Sequence, residues 1–162
     1  MSYIQTACGE APSRLSDPIV GDLLLSRDDF QIRLALAARG PLDVPSDAGL
    51  VGRMYASRGY RCDGATVPRG AGATLQACDG QDIFGTLTIR YDSADGLAAD
   101  ELYRQEIDRY RAIGGVCELT RLAIDPEFGS KELLGALFHV AYFFSGPIGR
   151  ALHVIIEVNP AM

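Results

Sequence analysis

From Phe30 onward, apolar positions fall into short runs separated by Gly, Pro and Asp, and the period within each run predicts its element. Phe30 to Ala38 (FQIRLALAA) alternates well enough for a first strand, although the same residues could equally begin a helix. Leu50 to Tyr60 predicts a short helix with Leu50, Met54 and Tyr55 on one face and Arg53 and Arg58 toward the other. Arg61 to Gly72 reads as loop by its glycines and proline. Ala73 to Cys78 and Ile83 to Tyr91 predict a hairpin around Asp79-Gly80-Gln81-Asp82, because Asp-Gly between apolar runs favours a tight turn. Ala99 to Ile113 predicts an amphipathic helix. Asp100 and Glu101 lie in its first turn, Leu102, Tyr103, Ile107 and Tyr110 face the core, and Gly114-Gly115 ends it.

The stretch Val116 to Tyr142 organises the rest. Val116 to Asp125 is a β-branched and aliphatic run that carries Glu118 and Arg121 in its middle. Asp125-Pro126-Glu127 ends the strand, Gly129-Ser130 offers an N-cap, and Lys131 to Phe144 has helical length. Leu152 to Val158 is a last buried strand. This order predicts an α+β fold with a mixed, mainly antiparallel sheet and helices on both faces, its last two strands joined by a βαβ crossover. Met1 to Asp29 is poorly periodic, with Ile19 to Leu25 as its only apolar cluster. The expected organisation is therefore an N-terminal arm, 1–29, and one domain, 30–162.

Composition narrows the function classes. The chain has 162 residues, 48% hydrophobic and 22% charged, as expected of a single globular domain. Its net charge of -6 argues against nucleic acid as a partner. Cys8, Cys62, Cys78 and Cys117 are scattered without a C-x-x-C pair, so free thiols in a reducing cytoplasm are expected. Cys117 reads as a small core residue. His139 reads as a helix residue with a satisfied hydrogen bond, and His153 opens the last strand; the two are too few for a metal site. Neither a signal peptide nor a transmembrane segment is indicated, since Leu133 to Phe144 is too short to span a bilayer.

CELTRLAIDPEFGSKELLGALFHVAYFF closely resembles the core of the bacterial long-chain N-acyl amino acid synthases (FeeM-type), members of the GNAT acyltransferase superfamily. It also resembles the E-L-S-R-F-A-V-D strand of the acyl-homoserine lactone autoinducer synthases. The likeness extends through DSADGLAADELYRQEIDRYR and LHVIIEVNP, and more loosely to FQIRLALAARG and MYASRGY. The E-x-x-R pair alone would be a weak signal; its order with these segments makes the resemblance fairly specific. It implies a GNAT-like fold and transfer of a medium or long acyl chain from a thioester to an amine.

That chemistry needs a base, because an ammonium has no lone pair. Glu118 in a partly dry cleft is the candidate, with a backbone N–H at a β-bulge for the oxyanion. Residues three apart on a regular strand point to opposite faces, so Glu118 and Arg121 would meet only across such a bulge. Arg121 is then an orienting partner of carboxylates. A buried ion pair that merely fixes register explains the two residues equally well, and the resemblance favours the catalytic reading.

The resemblance places the acyl donor along Leu122, Ala123 and Ile124 and at Ser130 and Lys131. Acetyl-CoA users in the superfamily carry a Gly-rich turn there whose N–H groups cradle pyrophosphate; here Ser130 and Glu132 replace two of the glycines. Acyl carrier protein, presenting acyl-phosphopantetheine, is therefore the expected donor and partner, with acyl-CoA less favoured and no other cofactor or metal. Arg33, Arg53 and Arg58 are candidates for holding an acceptor's carboxylate, although each singly reads more simply as a surface arginine. Asp92 is expected either to pair with one of them or to act as a turn residue.

The alternatives are an autoinducer synthase and a degenerate, non-catalytic GNAT-like module binding an acyl ligand or a protein. The family continues past E-V-N-P with further strands, so the fold is expected to lack the C-terminal strands. LHVIIEV would then present an open edge, covered either by a partner chain, as in a homodimer, or by the Ile19 to Leu25 cluster folding back.

Overall fold

The computed structural model describes residues 22–36, 48–59, 72–80 and 82–157. Six strands form one sheet in the order β1 (Asp22–Ser26), β2 (Gln31–Leu36), β3 (Gly72–Asp79), β4 (Asp82–Tyr91), β5 (Val116–Ile124) and β6 (His153–Ile156). Neighbours from β1 to β5 are antiparallel, and β6 runs parallel to β5. The helices are α1 (Ala48–Ala56), α2 (Asp100–Arg111) and α3 (Lys131–Phe143), and a π-helical segment, Phe144–Ile148, extends α3. The α+β reading holds. None of the described helices is long and apolar enough to cross a membrane.

Ile32, Leu34, Leu75, Leu87, Ile89, Cys117 and Leu119 point to one face of the sheet, where Leu133, Leu137, Val140 and Ala141 of α3 close the main core. On the other face Leu50 and Val51 of α1 cover Ala123, and a small cluster of Leu97, Ala99, Ile107 and Val116 seats α2. Ser130 caps α3 through its hydroxyl, which accepts from the Leu133 N–H at 3.0 Å.

Three points bear on the reading of the sequence. First, β1, a short element within the stretch 1–29, pairs with β2 at the edge of the sheet. β1 also lies at the edge opposite β6 and does not cover it; residues 1–21 lie outside the described set. Second, of the four α2 residues expected in the core only Ile107 is buried, while Leu102, Tyr103 and Tyr110 are exposed. A kink at Tyr103 (φ -126°, ψ 24°) breaks the 3.6-residue phase on which that face was counted. Third, β6 is not buried on both faces. Ile155 packs toward α2, but Leu152, Val154 and Ile156 are exposed.

Candidate active site

β5 is paired on both sides only over its first half. Its ladder to β6 runs from Val116↔His153 to Leu119↔Ile156, and Thr120 to Ile124 have no β6 neighbour among the described residues. Gly115 lets the two chains come this close at the start, since a Cβ there would stand 2.9 Å from the Arg150 carbonyl oxygen. Where β6 ends, β5 also bulges. Thr88 faces Thr120 but Thr86 faces Ala123, so one extra residue is inserted on β5, and Arg121 adopts the left-handed φ of 54°. The bulge brings Glu118, Thr120 and Ala123 onto one face. Thr74, Gln76, Thr86, Thr88 and Arg90 share it through the register of β3 and β4, and Thr74 and Thr88 exchange a hydroxyl hydrogen bond at 3.0 Å. The opposite face at this point belongs to α3.

Glu118 is only 2% exposed. Its Oε2 accepts from the Ala98 N–H at 2.9 Å and its Oε1 from the Ala99 N–H at 3.0 Å, so it caps the N-terminus of α2 from across the sheet. Ala99, the N-cap residue itself, has no side chain able to do this. Among the described contacts, Arg90 on β4 stands directly opposite Glu118, with Nη1 at 4.0 Å and Nη2 donating to the Gly96 carbonyl at 3.1 Å. Each carboxylate oxygen keeps a second lone pair for a proton.

A second charged group stands behind this turn. Arg111 donates to Asp92 at 2.6 and 2.8 Å, to Asp100 at 2.7 Å through both Nη atoms, and to Asp108 at 2.8 Å. Asp100 Oδ2 also accepts from the Leu97 N–H at 2.7 Å. The Arg111 hydrogen bonds hold the Asp100 carboxyl at about 2, and they also depress Asp92. Reciprocally, the hydrogen bonds to Asp92 and then Asp100 raise the Arg111 guanidinium. A shallow cavity of about 370 Å³ borders this cluster at Tyr91, Asp92, Arg111 and Gly149, but it opens at the paired end of β5 and its cation is already held by carboxylates.

The expected site residues are thus distributed as follows. Leu122 and Ile124 lie half-buried against the α3-side core, Ala123 is buried under α1, and Ser130 and Lys131 start α3, so all five gather at the open end of β5. Arg121 sits at the bulge, while the described partners of Glu118 are Ala98, Ala99 and Arg90. Arg53 is exposed, 3.7 Å from Asp125 at the end of β5, and Arg58 is exposed just after α1. Arg33 bonds Gln31 on β2, three strands from Glu118, about 14 Å across the sheet. Asp92 pairs with Arg111 and with none of those three arginines. Cys117 is a buried thiol pushed up to about 11 by burial, in keeping with an inert core residue; Cys78 is likewise buried and free, and Cys8 and Cys62 lie outside the described residues. His139 is exposed and meets Phe143 edge-on at 5.1 Å, and His153 opens β6 as expected. Arg90 and the Ala98–Ala99 amides were not legible in the sequence, because only strand register and the α2 start bring them to Glu118.

The family model of the N-acyl amino acid synthase FeeM matches residues 48–162. The chain belongs to the FeeM N-acyl amino acid synthase family. It is accordingly an N-acyltransferase with an acyl donor and an amine acceptor. Among solved structures, FeeM, an N-acyl amino acid synthase from uncultured soil microbes, superposes with a TM-score of 0.65 at 20% identity, covering 82% of this chain and 74% of that one. An aminoglycoside acetyltransferase from an uncultured soil metagenomic sample gives 0.55 at 13% identity, covering 82% and 80%. These structural likenesses are likenesses of fold, here the GNAT-like one. Comparison with curated proteins gave no match.

Proposed function

We propose that the enzyme moves a medium or long acyl chain from the phosphopantetheine arm of acyl carrier protein to the amino group of an amino acid or related amine, with Glu118 as general base. The observation that supports this is the buried Glu118 carboxylate, one residue before the last described β5–β6 pair, Leu119↔Ile156. The acceptor approaches on the face bearing Glu118, and the thioester enters along Thr120 to Ile124, where β5 has no β6 neighbour among the described residues. Glu118 takes a proton from the ammonium. The freed lone pair attacks the thioester carbonyl, whose oxyanion meets a backbone N–H at the Arg121–Leu122 bulge. Collapse forms the amide and expels the pantetheine thiolate, which takes up the second proton shed by the attacking nitrogen, and Glu118 returns its proton to solvent.

The turn before α3 supports a carrier-protein donor. Ser130 occupies the Leu133 N–H, and Glu132 adds negative charge to the first helical turn, where a CoA pyrophosphate would have to sit. A pantetheine arm brings no such charge to the turn. For the acceptor's carboxylate, Arg53 and Arg58 lie on the α1 side, while Arg33 is too distant to hold an acceptor whose amine reaches Glu118.

One observation favours the non-catalytic alternative: both Glu118 oxygens already serve as a helix cap. Mass spectrometry of lipids from cells expressing the protein, with purified enzyme offered long-chain acyl carrier protein or acyl-CoA, separates the readings. N-acyl amino acids made from the carrier-protein donor are expected. Preference for acyl-CoA would overturn the donor assignment, and no N-acyl product from either donor would favour the binding module.

A further inference from the structure

We infer that Arg111 is a positioning residue for Glu118, acting through Asp100 and Asp92 to fix the turn whose amides hold the Glu118 carboxylate. This rests on the reading of Glu118 as base. Arg111 and Asp100 are eleven residues apart, which in a straight helix would separate their Cα atoms by about 16 Å along the axis. The kink at Tyr103 folds the first turn of α2 back, and the guanidinium reaches Asp100 at 2.7 Å. The same guanidinium grips Asp92, the first residue after β4, with two hydrogen bonds. The Asp92–Asp100 segment is therefore clamped at both ends by one side chain.

Within the clamp, Gly96 adopts φ 71°, and a Cβ there would stand 2.7 Å from Asp100 Oδ2. Its carbonyl accepts from Arg90, and Asp100 takes the Leu97 N–H. The next two N–H groups, of Ala98 and Ala99, are then left to point at Glu118. Asp100 is itself buried, so its carboxylate depends on Arg111 for compensation. A planar fork suits this task, since a single ammonium cannot hold two carboxylates bidentately. Among the described contacts Arg90 from β4 faces Glu118, and the charged groups of the clamp behind it are Asp92, Asp100, Asp108 and Arg111, with Arg104 acting on Asp100; His153 lies on β6 and Arg121 at the β5 bulge.

The test is Arg111→Lys, which keeps the charge and loses the fork. Hydrogen exchange of the Ala98 and Ala99 amides should accelerate at least tenfold, and the acid limb of the kcat profile should move upward, because loosened donors stabilise the anion less. The limb and the Glu118 carboxyl resonance should shift together by about half a pH unit or more, with kcat falling more than KM changes. Asp108→Asn, which removes only an exposed partner of Arg111, should leave both readouts within twofold. Wild-type exchange and an unmoved limb in Arg111→Lys overturn the positioning role while leaving the base intact. Near-normal turnover by Glu118→Gln would instead defeat the base reading, and the positioning role of Arg111 in catalysis with it. If Arg111→Lys folds poorly, Asp92→Asn opens the clamp from its other end. That change removes a negative charge, so simple Coulomb effects would lower the limb, whereas loosened positioning raises it. Unchanged exchange or a lowered limb in Asp92→Asn then overturns the proposal.

Discussion

α3 and α2 pack on opposite faces of β5 and are attached by different forces. α3 is capped by its own Ser130 and buries Leu133, Leu137, Val140 and Ala141 in the main core. α2 buries one large side chain of its own, Ile107; its N-terminus is capped by Glu118 from another strand, and its last turn is tied by Arg111 to Asp92 and Asp100. Apolar burial is non-directional and tolerates small displacements, whereas the polar ties fix donors to fractions of an ångström. The helix that must aim amides at a carboxylate is the one held by hydrogen bonds.

Cutting the apolar attachment should have the larger effect on stability. Leu137→Ala removes a fully buried side chain from under α3 and should cost about 2–5 kcal/mol in chemical denaturation. A cost below about 1 kcal/mol would show that α3 is not seated as described.

Acid should loosen the polar attachment next. The folded Asp100 carboxyl lies at about 2, below its ordinary value near 3.8. Its contribution is therefore fully present above that ordinary value and is lost as pH falls from about 4 toward 2, amounting to about 1–2 kcal/mol, with Asp92 adding in the same direction. Asp100→Asn should flatten this part of the stability profile. An equally steep acid limb in the variant would place the proton uptake elsewhere.

The smallest effect is expected at the position the helical period marked as core. Leu102 is 68% exposed, so Leu102→Ala should change stability by no more than about 0.5 kcal/mol. A loss above about 2 kcal/mol would mean that the residue is buried in solution.

The same contrast explains what could be read from the chain. α3, the β3–β4 hairpin and β5 were legible because local signals and core packing agree there: the Ser130 cap, the Asp-Gly turn, and Pro126 after β5. α2 was legible as a helix but not in its facing, because ion pairs and a cap from another strand override its apolar period. Glu118 stood out as a carboxylate in an apolar run. Its partners did not, because Arg90 meets it through register and Ala98 and Ala99 offer only backbone. Likewise Asp92 marked the right corner, and its true partner lay 19 residues further on in an unremarkable helix end.

Single-turnover acyl transfer by Glu118→Gln tests the central claim most directly, since glutamine keeps the shape and an acceptor oxygen but cannot take the proton. With acyl carrier protein as donor and an amino acid as acceptor, product formation should fall by roughly two to four orders of magnitude while circular dichroism stays native. A rate within a few-fold of wild type at neutral pH would show that Glu118 only caps α2 and that the proton leaves by another route.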